Sequence, residues 1–335
     1  MVRFGVIGFG IMGRLYARII HESPRARLVA VASKSAASLD LARKTYGVPV
    51  YDDALQMMDR EPLDAVYIAT PDFLHTPFAV AALERGIAIL LEKPMTTDPD
   101  EARQIVDAAR RSGAVGTLRF GNRFAPPFLR LKEALDRGDL GEVVALNTRL
   151  NDRIYVPTQM ISWAQDTTPA WFLMSHLLDL AWWLTGLKPL RVAARGVRRV
   201  LPALGVDTYD AIQALVEYEG GAIGTFETGW ILPNTMPNIV DPKFEVIGSR
   251  GAGFVDTHEQ MVRLATAEAF AFPSTLSVEV AGRLQGYLNH IFNLFLDAVE
   301  GLGPNPVPLE DGLLNVRTLA AVHRALETGA WEPVP

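Results

Sequence analysis

Three glycines near the amino terminus constrain this chain more than any other feature. Gly8-Phe9-Gly10-Ile11-Met12-Gly13 follows an apolar run at residues 2–7 and opens a stretch of helical spacing in which Leu15, Ile19 and Ile20 share one face. Between a strand and a helix that spacing has a physical use. The first glycine permits a tight turn, the second lets the backbone approach a pyrophosphate, and the third lets helix and strand pack closely. The helix start adds free N–H groups and the positive end of its dipole, both suited to phosphate. A turn that is merely rich in glycine is the plainer alternative.

The residues that follow supply the context the motif needs. Apolar runs at 26–32, 63–69, 87–91 and 114–118, with a weaker one at 48–50, alternate with helical spacing at 39–46, 76–85 and 99–111. Near-continuous apolar strands between amphipathic helices imply a parallel sheet covered on both faces. Beyond residue 121 the pattern changes. A helix at 126–137 leads into a long alternating strand at 142–150, and another helix spans 174–185. Strands follow near 191–197, 210–218, 222–230, 243–247 and 253–256, before closing helices at 288–300 and 311–327. Runs of strands joined by turns such as Glu219-Gly220-Gly221 imply a mostly antiparallel sheet with one open face. The expected fold is therefore α/β. A doubly wound parallel sheet of the Rossmann kind occupies residues 1–121, and an α+β domain for substrate binding and oligomerisation occupies 122–335. A length of 335 residues suits two domains at about 100–200 residues each.

About 20 residues past the last glycine, NAD-selective folds carry an acid for the ribose 2′-hydroxyl. Here that place holds Ser33-Lys34-Ser35. No carboxylate repels a 2′-phosphate, and a hydroxyl and an ammonium are at hand to bind one. The reading favours NADP(H), with NAD(H) as the alternative, and Arg43 joins if the next helix turns it inward. Composition narrows the partners. A net charge of −6 disfavours nucleic acid and anionic membranes. The absence of cysteine excludes disulfides, thiolate catalysis and Cys-ligated metal. No His/carboxylate spacing suggests a metal site, and no apolar stretch nears the ~20 residues of a membrane span. The expected setting is cytoplasmic.

Two more strand ends carry chemistry. Ala69-Thr70-Pro71-Asp72-Phe73-Leu74-His75 and Glu92-Lys93-Pro94 both lie at carboxyl ends of parallel strands, where ligands of open α/β sheets bind. With the glycine turn, Asn122-Arg123-Phe124 and His176-Leu177-Leu178-Asp179, they resemble the glucose–fructose oxidoreductase / inositol dehydrogenase / MocA family, in order and over nearly the whole chain. The resemblance implies a nicotinamide-dependent oxidoreductase acting on a CH–OH group of a sugar, polyol, cyclitol or glycoside. The expected cofactor contacts are Gly8, Phe9, Gly10, Ile11, Met12, Gly13, Ser33, Lys34, Ala69, Thr70, Pro71, Leu74, His75, Glu92, Lys93, Asn122 and Arg123.

Lys93, by the same resemblance, lies beside the nicotinamide and the reacting alcohol or ketone. An ammonium there polarises a carbonyl or moves a proton. Glu92 is expected to position the cofactor ribose or the lysine. His176 matches the family's histidine, but four residues earlier, where the family carries an aspartate, stands Phe172. Residues i and i+4 share a helical face, so the carboxylate that would make the histidine more basic is missing. Asp179 is left either as a candidate to orient the ring or as a structural hydrogen-bonding residue. The expected substrate contacts are Lys93, Arg123, Tyr155, Trp163, Phe172 and His176, with Arg153, Trp171 and Trp230 near them in the pattern. Such aromatics suit a substrate with an apolar or ring face, or else simply fill the core. His21, His258, His290 and His323 have no partner motif and read as surface or core residues.

Two other readings stay open. One is a cofactor-binding regulator without turnover, to which the missing aspartate lends weight. The other is an enzyme whose retained cofactor oxidises a sugar, allows elimination and reduces it back, for net bond cleavage. The open sheet face is expected to be apolar and to need a partner, which implies a homodimer or homotetramer.

Overall fold

In the computed structural model, which describes residues 1–258 and 261–335, the alternating periods of the first third become a wound sheet. Its elements are β1 (Val2–Ile7), α1 (Ile11–Glu22), β2 (Ala26–Ala32), α2 (Ala36–Tyr46), β3 (Val50–Tyr51) and α3 (Ala54–Arg60). They continue with β4 (Ala65–Ile68), α4 (His75–Glu84), β5 (Ala88–Leu91), α5 (Pro99–Ser112) and β6 (Gly116–Leu118). The strand order is β3-β2-β1-β4-β5-β6, and every neighbouring pair is parallel. β4 and β5 are buried along their whole length, as strands covered on both faces must be. The order reverses at β1, so the glycine turn falls at the switch point where such sheets bind ligands. Helix α3 escapes the sequence reading. Its seven residues, started by an Asp53 side chain that accepts the Leu55 N–H, are too few to register as a period.

Beyond Gly121 lie α6 (Pro126–Asp136), β7 (Val143–Arg153), α7 (Ser175–Thr185), β8 (Pro189–Val197) and α8 (Val200–Ala203). They are followed by β9 (Ala211–Tyr218), β10 (Ile223–Leu232), β11 (Val240–Gly248) and β12 (Ala252–Asp256). The sheet order is β12-β11-β7-β10-β9-β8, antiparallel throughout except for the parallel pair β7 and β10. One face is apolar: Leu146, Leu150, Val216, Phe226, Phe244 and Val246 are buried, and Phe128 of α6 packs edge-on against Phe244. The other face corrects an expectation. Alternate positions put Arg149 on Asp241 at 2.8 Å, Lys243 on Asp256 at 3.2 Å, and Asn151 on Glu227 at 2.7 Å. Among these polar pairs Ile223, Ile231 and Phe254 stand exposed, so the open face is mixed rather than apolar.

Two short ribbons follow, β13 (Leu264–Ala265) with β14 (Phe270–Ala271) and β15 (Ser277–Val280) with β16 (Arg283–Gly286). Then come α9 (Tyr287–Val299), α10 (Leu309–Thr328) and β17 (Glu332–Pro333), which extends the second sheet beyond β8. The chain divides into two compact units, residues 1–121 with 279–316 and residues 122–278 with 317–335. The sequence reading instead assigns everything after 121 to the second part. Helix α9 explains the difference. Phe292 and Phe295 set their rings 5.5 and 6.0 Å from Phe4 of β1, and Arg25 pairs with Asp297 at 2.7 Å and Glu300 at 2.5 Å. The core beside β1 is thus completed by a helix from near the far end of the chain.

Candidate active site

In the first unit the turn after β1 has the geometry its glycines imply. Gly8 has φ +87°, and a Cβ there would lie 2.5 Å from the Ala69 carbonyl oxygen. A Cβ on Gly13 would lie 1.9 Å from the Gly8 oxygen, so helix and turn touch through hydrogen alone. Gly10 differs: its missing Cβ leaves open space, with nothing among the described residues within 4 Å. No side chain caps α1 at Gly10, and Ile11 is exposed, so the first amides of the helix face outward without a partner from a capping side chain. At the end of β4 the Thr70 hydroxyl is buried with no hydrogen-bond partner among the described residues. An open cradle, an uncapped helix start and an orphaned hydroxyl fit a dinucleotide.

Three expected cofactor contacts take other roles. The Phe9 ring is buried against Tyr46, leaving only its backbone at the turn. His75 is fully buried, with Nδ1 3.0 Å from the Pro94 carbonyl and Nε2 2.9 Å from the Thr70 carbonyl. It ties the two loops together instead of meeting a ligand. Glu92 is also buried; it accepts both prongs of Arg119 at 2.6 and 2.8 Å, the Tyr67 hydroxyl, and the Lys93 backbone N–H at 3.2 Å. A carboxylate so occupied is engaged within the fold, next to the Lys93 backbone. Burial is the largest single influence and would raise the Glu92 carboxyl, but the Arg119 guanidinium, the Lys93 ammonium and the Tyr67 hydroxyl together hold it below the usual range. Burial also drives the Tyr67 phenol well up. Arg119 is absent from the expected site, since nothing near it in sequence marks a partner 27 positions away.

The remaining residues of the first unit lie along the carboxyl edge of its sheet. Ser33 follows β2, its N–H on the Tyr51 carbonyl at 3.0 Å, and Lys34 is exposed beside it. Arg43 does not turn inward: it is exposed and paired with Asp40 at 2.9 Å. Met12 packs partly against the core, while Ala69, Pro71 and the exposed Leu74 line the loop after β4. Lys93 follows β5, half-buried.

In the second unit, Arg123 and Asp179 form a buried fork at 2.9 and 2.5 Å. Arg123 is only 2% exposed, and the pair gives Asp179 a hydrogen-bonding role within the fold. The Asn122 amide lies 3.5 Å from His176 Nδ1. Phe172 stands in a π-helical turn, Ala170–Met174, just ahead of α7. The wider turn breaks the i, i+4 argument that put Phe172 and His176 on one α-helical face. Its ring packs at 5.9 Å on Trp163 and 5.5 Å on Trp230, both edge-on, and so forms an aromatic wall. Trp171 faces elsewhere, stacked on His323 at 4.7 Å. Tyr155 is exposed, with its N–H on Asn234 Oδ1 at 3.1 Å, and Arg153 holds the Asn234 carbonyl at 3.1 Å. Among the described residues there is no cluster of metal-ligating side chains and no helix long and apolar enough to cross a membrane.

A nucleotide seat at the switch point of a 3-2-1-4-5-6 sheet places the chain among the NAD-binding oxidoreductases. Residues 2–145 match the family described as an oxidoreductase family with an NAD-binding Rossmann fold, and residues 128–253 match the GFO/IDH/MocA C-terminal domain. The chain belongs to the Gfo/Idh/MocA oxidoreductase family. It is 27% identical over 308 residues to inositol 2-dehydrogenase of Rhizobium meliloti, covering 89% of each chain. It is 27% identical over 277 residues to scyllo-inositol 2-dehydrogenase (NAD(+)) of Bacillus subtilis, covering 81% of this chain and 79% of that one. The crystal structure of scyllo-inositol dehydrogenase from Lactobacillus casei with bound NAD(H) and scyllo-inositol superposes with a TM-score of 0.83. The match is at 22% identity, over 100% of this chain and 99% of that one.

Proposed function

We propose that this oxidoreductase moves hydride between a nicotinamide cofactor and a ring secondary alcohol or ketone of an inositol-like polyol. The observation that carries the reading is the nucleotide seat after β1 on the same sheet edge as Lys93 after β5. The names of two relatives, and the bound ligands of a third, support an inositol-type substrate. When bound, the nicotinamide supplies the hydride chemistry. The outward amides of residues 10–13 hold the pyrophosphate, and the Thr70 hydroxyl takes one further hydrogen bond. Lys93 Nζ donates to the substrate oxygen and exchanges its proton, and His176 gives a second hydrogen bond. Trp163 and Phe172 offer an apolar wall to the C–H face of a ring, with Tyr155 at its margin.

Cofactor choice rests on Ser33 and Lys34. With no acid after β2, NADPH binds more tightly than NADH, although the relatives named for their cofactor use NAD(H). The reading also includes a cytoplasmic setting, where nicotinamide cofactors are kept, and a homodimer or homotetramer joined through the open sheet face. The test is absorbance of the reduced nicotinamide with myo- and scyllo-inositol and both cofactors. Lys93→Ala should lower kcat by about 10²–10⁴ with cofactor affinity little changed. Near-native turnover in that variant removes the assignment of Lys93.

A further inference from the structure

The cluster of Glu92, Arg119 and Tyr67 has no direct part in the reaction proposed above, yet its position is specific. It arises from sheet register. Leu91 of β5 lies beside Leu118 of β6, so the next residues out, Glu92 and Arg119, leave the sheet side by side. Arg119 N–H donates to the Leu91 carbonyl at 2.8 Å, and Glu92 N–H to the Ile68 carbonyl at 3.0 Å. The two side chains then meet as a two-pronged pair, each 7% exposed. Tyr67 comes from β4 onto the same carboxylate, with Tyr16 of α1 stacked on its ring at 4.2 Å. Tyr287 of α9 closes the group against Gly121. The titratable groups facing the pair are therefore Tyr16, Tyr67, Tyr287 and Lys93.

A buried ion pair adds little stability over apolar residues of equal volume, whereas removing one partner strands a charge. What this pair does to its neighbour matters more. Glu92 holds the Lys93 backbone N–H, and the Lys93 ammonium in turn helps keep Glu92 ionised. A bare carboxylate beside Lys93 favours its charged form, and a bare guanidinium opposes it. We propose that Arg119 and Glu92, braced by Tyr67, are positioning residues for Lys93: they fix its backbone and keep the charge beside its ammonium balanced. Only the catalytic consequence rests on reading Lys93 as the proton-transfer group; the effect on its titration does not.

The probe is trace acetic anhydride, with acylation of Lys93 followed against pH by peptide mass spectrometry in the intact protein. Glu92→Gln should move the Lys93 titration about one unit to lower pH and Arg119→Met about one unit higher. The double variant should return it near the native position, and Arg119→Lys, which keeps the charge, should undo most of the Arg119→Met shift. With inositol as substrate, kcat should fall about tenfold or more in the single variants at unchanged NADH affinity. A merely structural pair gives no opposed shifts, so parallel or absent shifts in folded single variants overturn the proposal. If the single variants do not fold, Tyr67→Phe and the double variant carry the test. Native kcat in both overturns it, and lowered kcat at unchanged NADH affinity supports it. Opposed shifts alongside full turnover in Lys93→Ala would remove the catalytic reading of Lys93 and leave the pair's hold on it standing.

Discussion

In the proposed reading, cofactor choice turns on a single side chain, Ser33. It is half-buried at the end of β2, and a carboxylate placed there would repel a 2′-phosphate and accept a ribose hydroxyl. Ser33→Asp is expected to reverse the preference, making NADH the tighter ligand in a fluorescence titration. Tighter NADH binding by the unmutated protein would contradict the premise. His323 makes a different prediction. Its Nδ1–H donates to the Leu319 carbonyl at 2.7 Å, and its Nε2 lies 2.9 Å from the Thr168 hydroxyl, in a neutral ring that burial pushes below its ordinary value. The unfolded chain therefore binds this proton first. Stability contributed by the neutral ring is full above about pH 6.5 and is lost as pH falls from there toward the depressed native value. Tm should decline over that range, and His323→Phe should flatten the decline. A native Tm that does not change there would refute the coupling.

The turn between β1 and α1 separates two kinds of glycine. Gly10→Ala meets no protein atom, so the variant should keep its fold within about 0.5 kcal/mol by thermal melting while cofactor affinity drops about tenfold or more. Gly13→Ala drives a methyl into the Gly8 carbonyl and should cost about 1–3 kcal/mol of stability as well as binding. Equal melting losses in the two variants would contradict this division. The same elements show what the sequence could tell. The wound parallel sheet was legible because buried parallel strands leave unbroken apolar runs, as in Ala65-Val66-Tyr67-Ile68. The partners of the motif residues were not. Glu92 meets Arg119 across two strand ends, and His75 meets carbonyls of a different loop; both pairings depend on register, which period alone does not encode. Phe172 was placed on an α-helical face, but the π-helical turn that carries it has no signature in the hydrophobic pattern.

At the scale of the whole molecule, the open sheet face makes the association prediction sharper than an apolar surface would. Phe254 is 69% exposed amid ion pairs, a setting in which one aromatic anchor surrounded by polar contacts can dominate binding. Light scattering at micromolar concentration should give at least twice the mass of one chain, and Phe254→Glu should reduce it to a single chain. A native protein that scatters as one chain would refute this. The return of residues 279–316 to the first unit bears on how the chain is born. β1 leaves the ribosome well before the aromatic helix that covers Phe4, which emerges only after β7 to β12 are already out. Finishing one domain before the next begins, the usual order of synthesis, is closed to this protein. Its nucleotide-binding unit must wait, one flank of its core uncovered, until the strands of the other unit's sheet have left the ribosome.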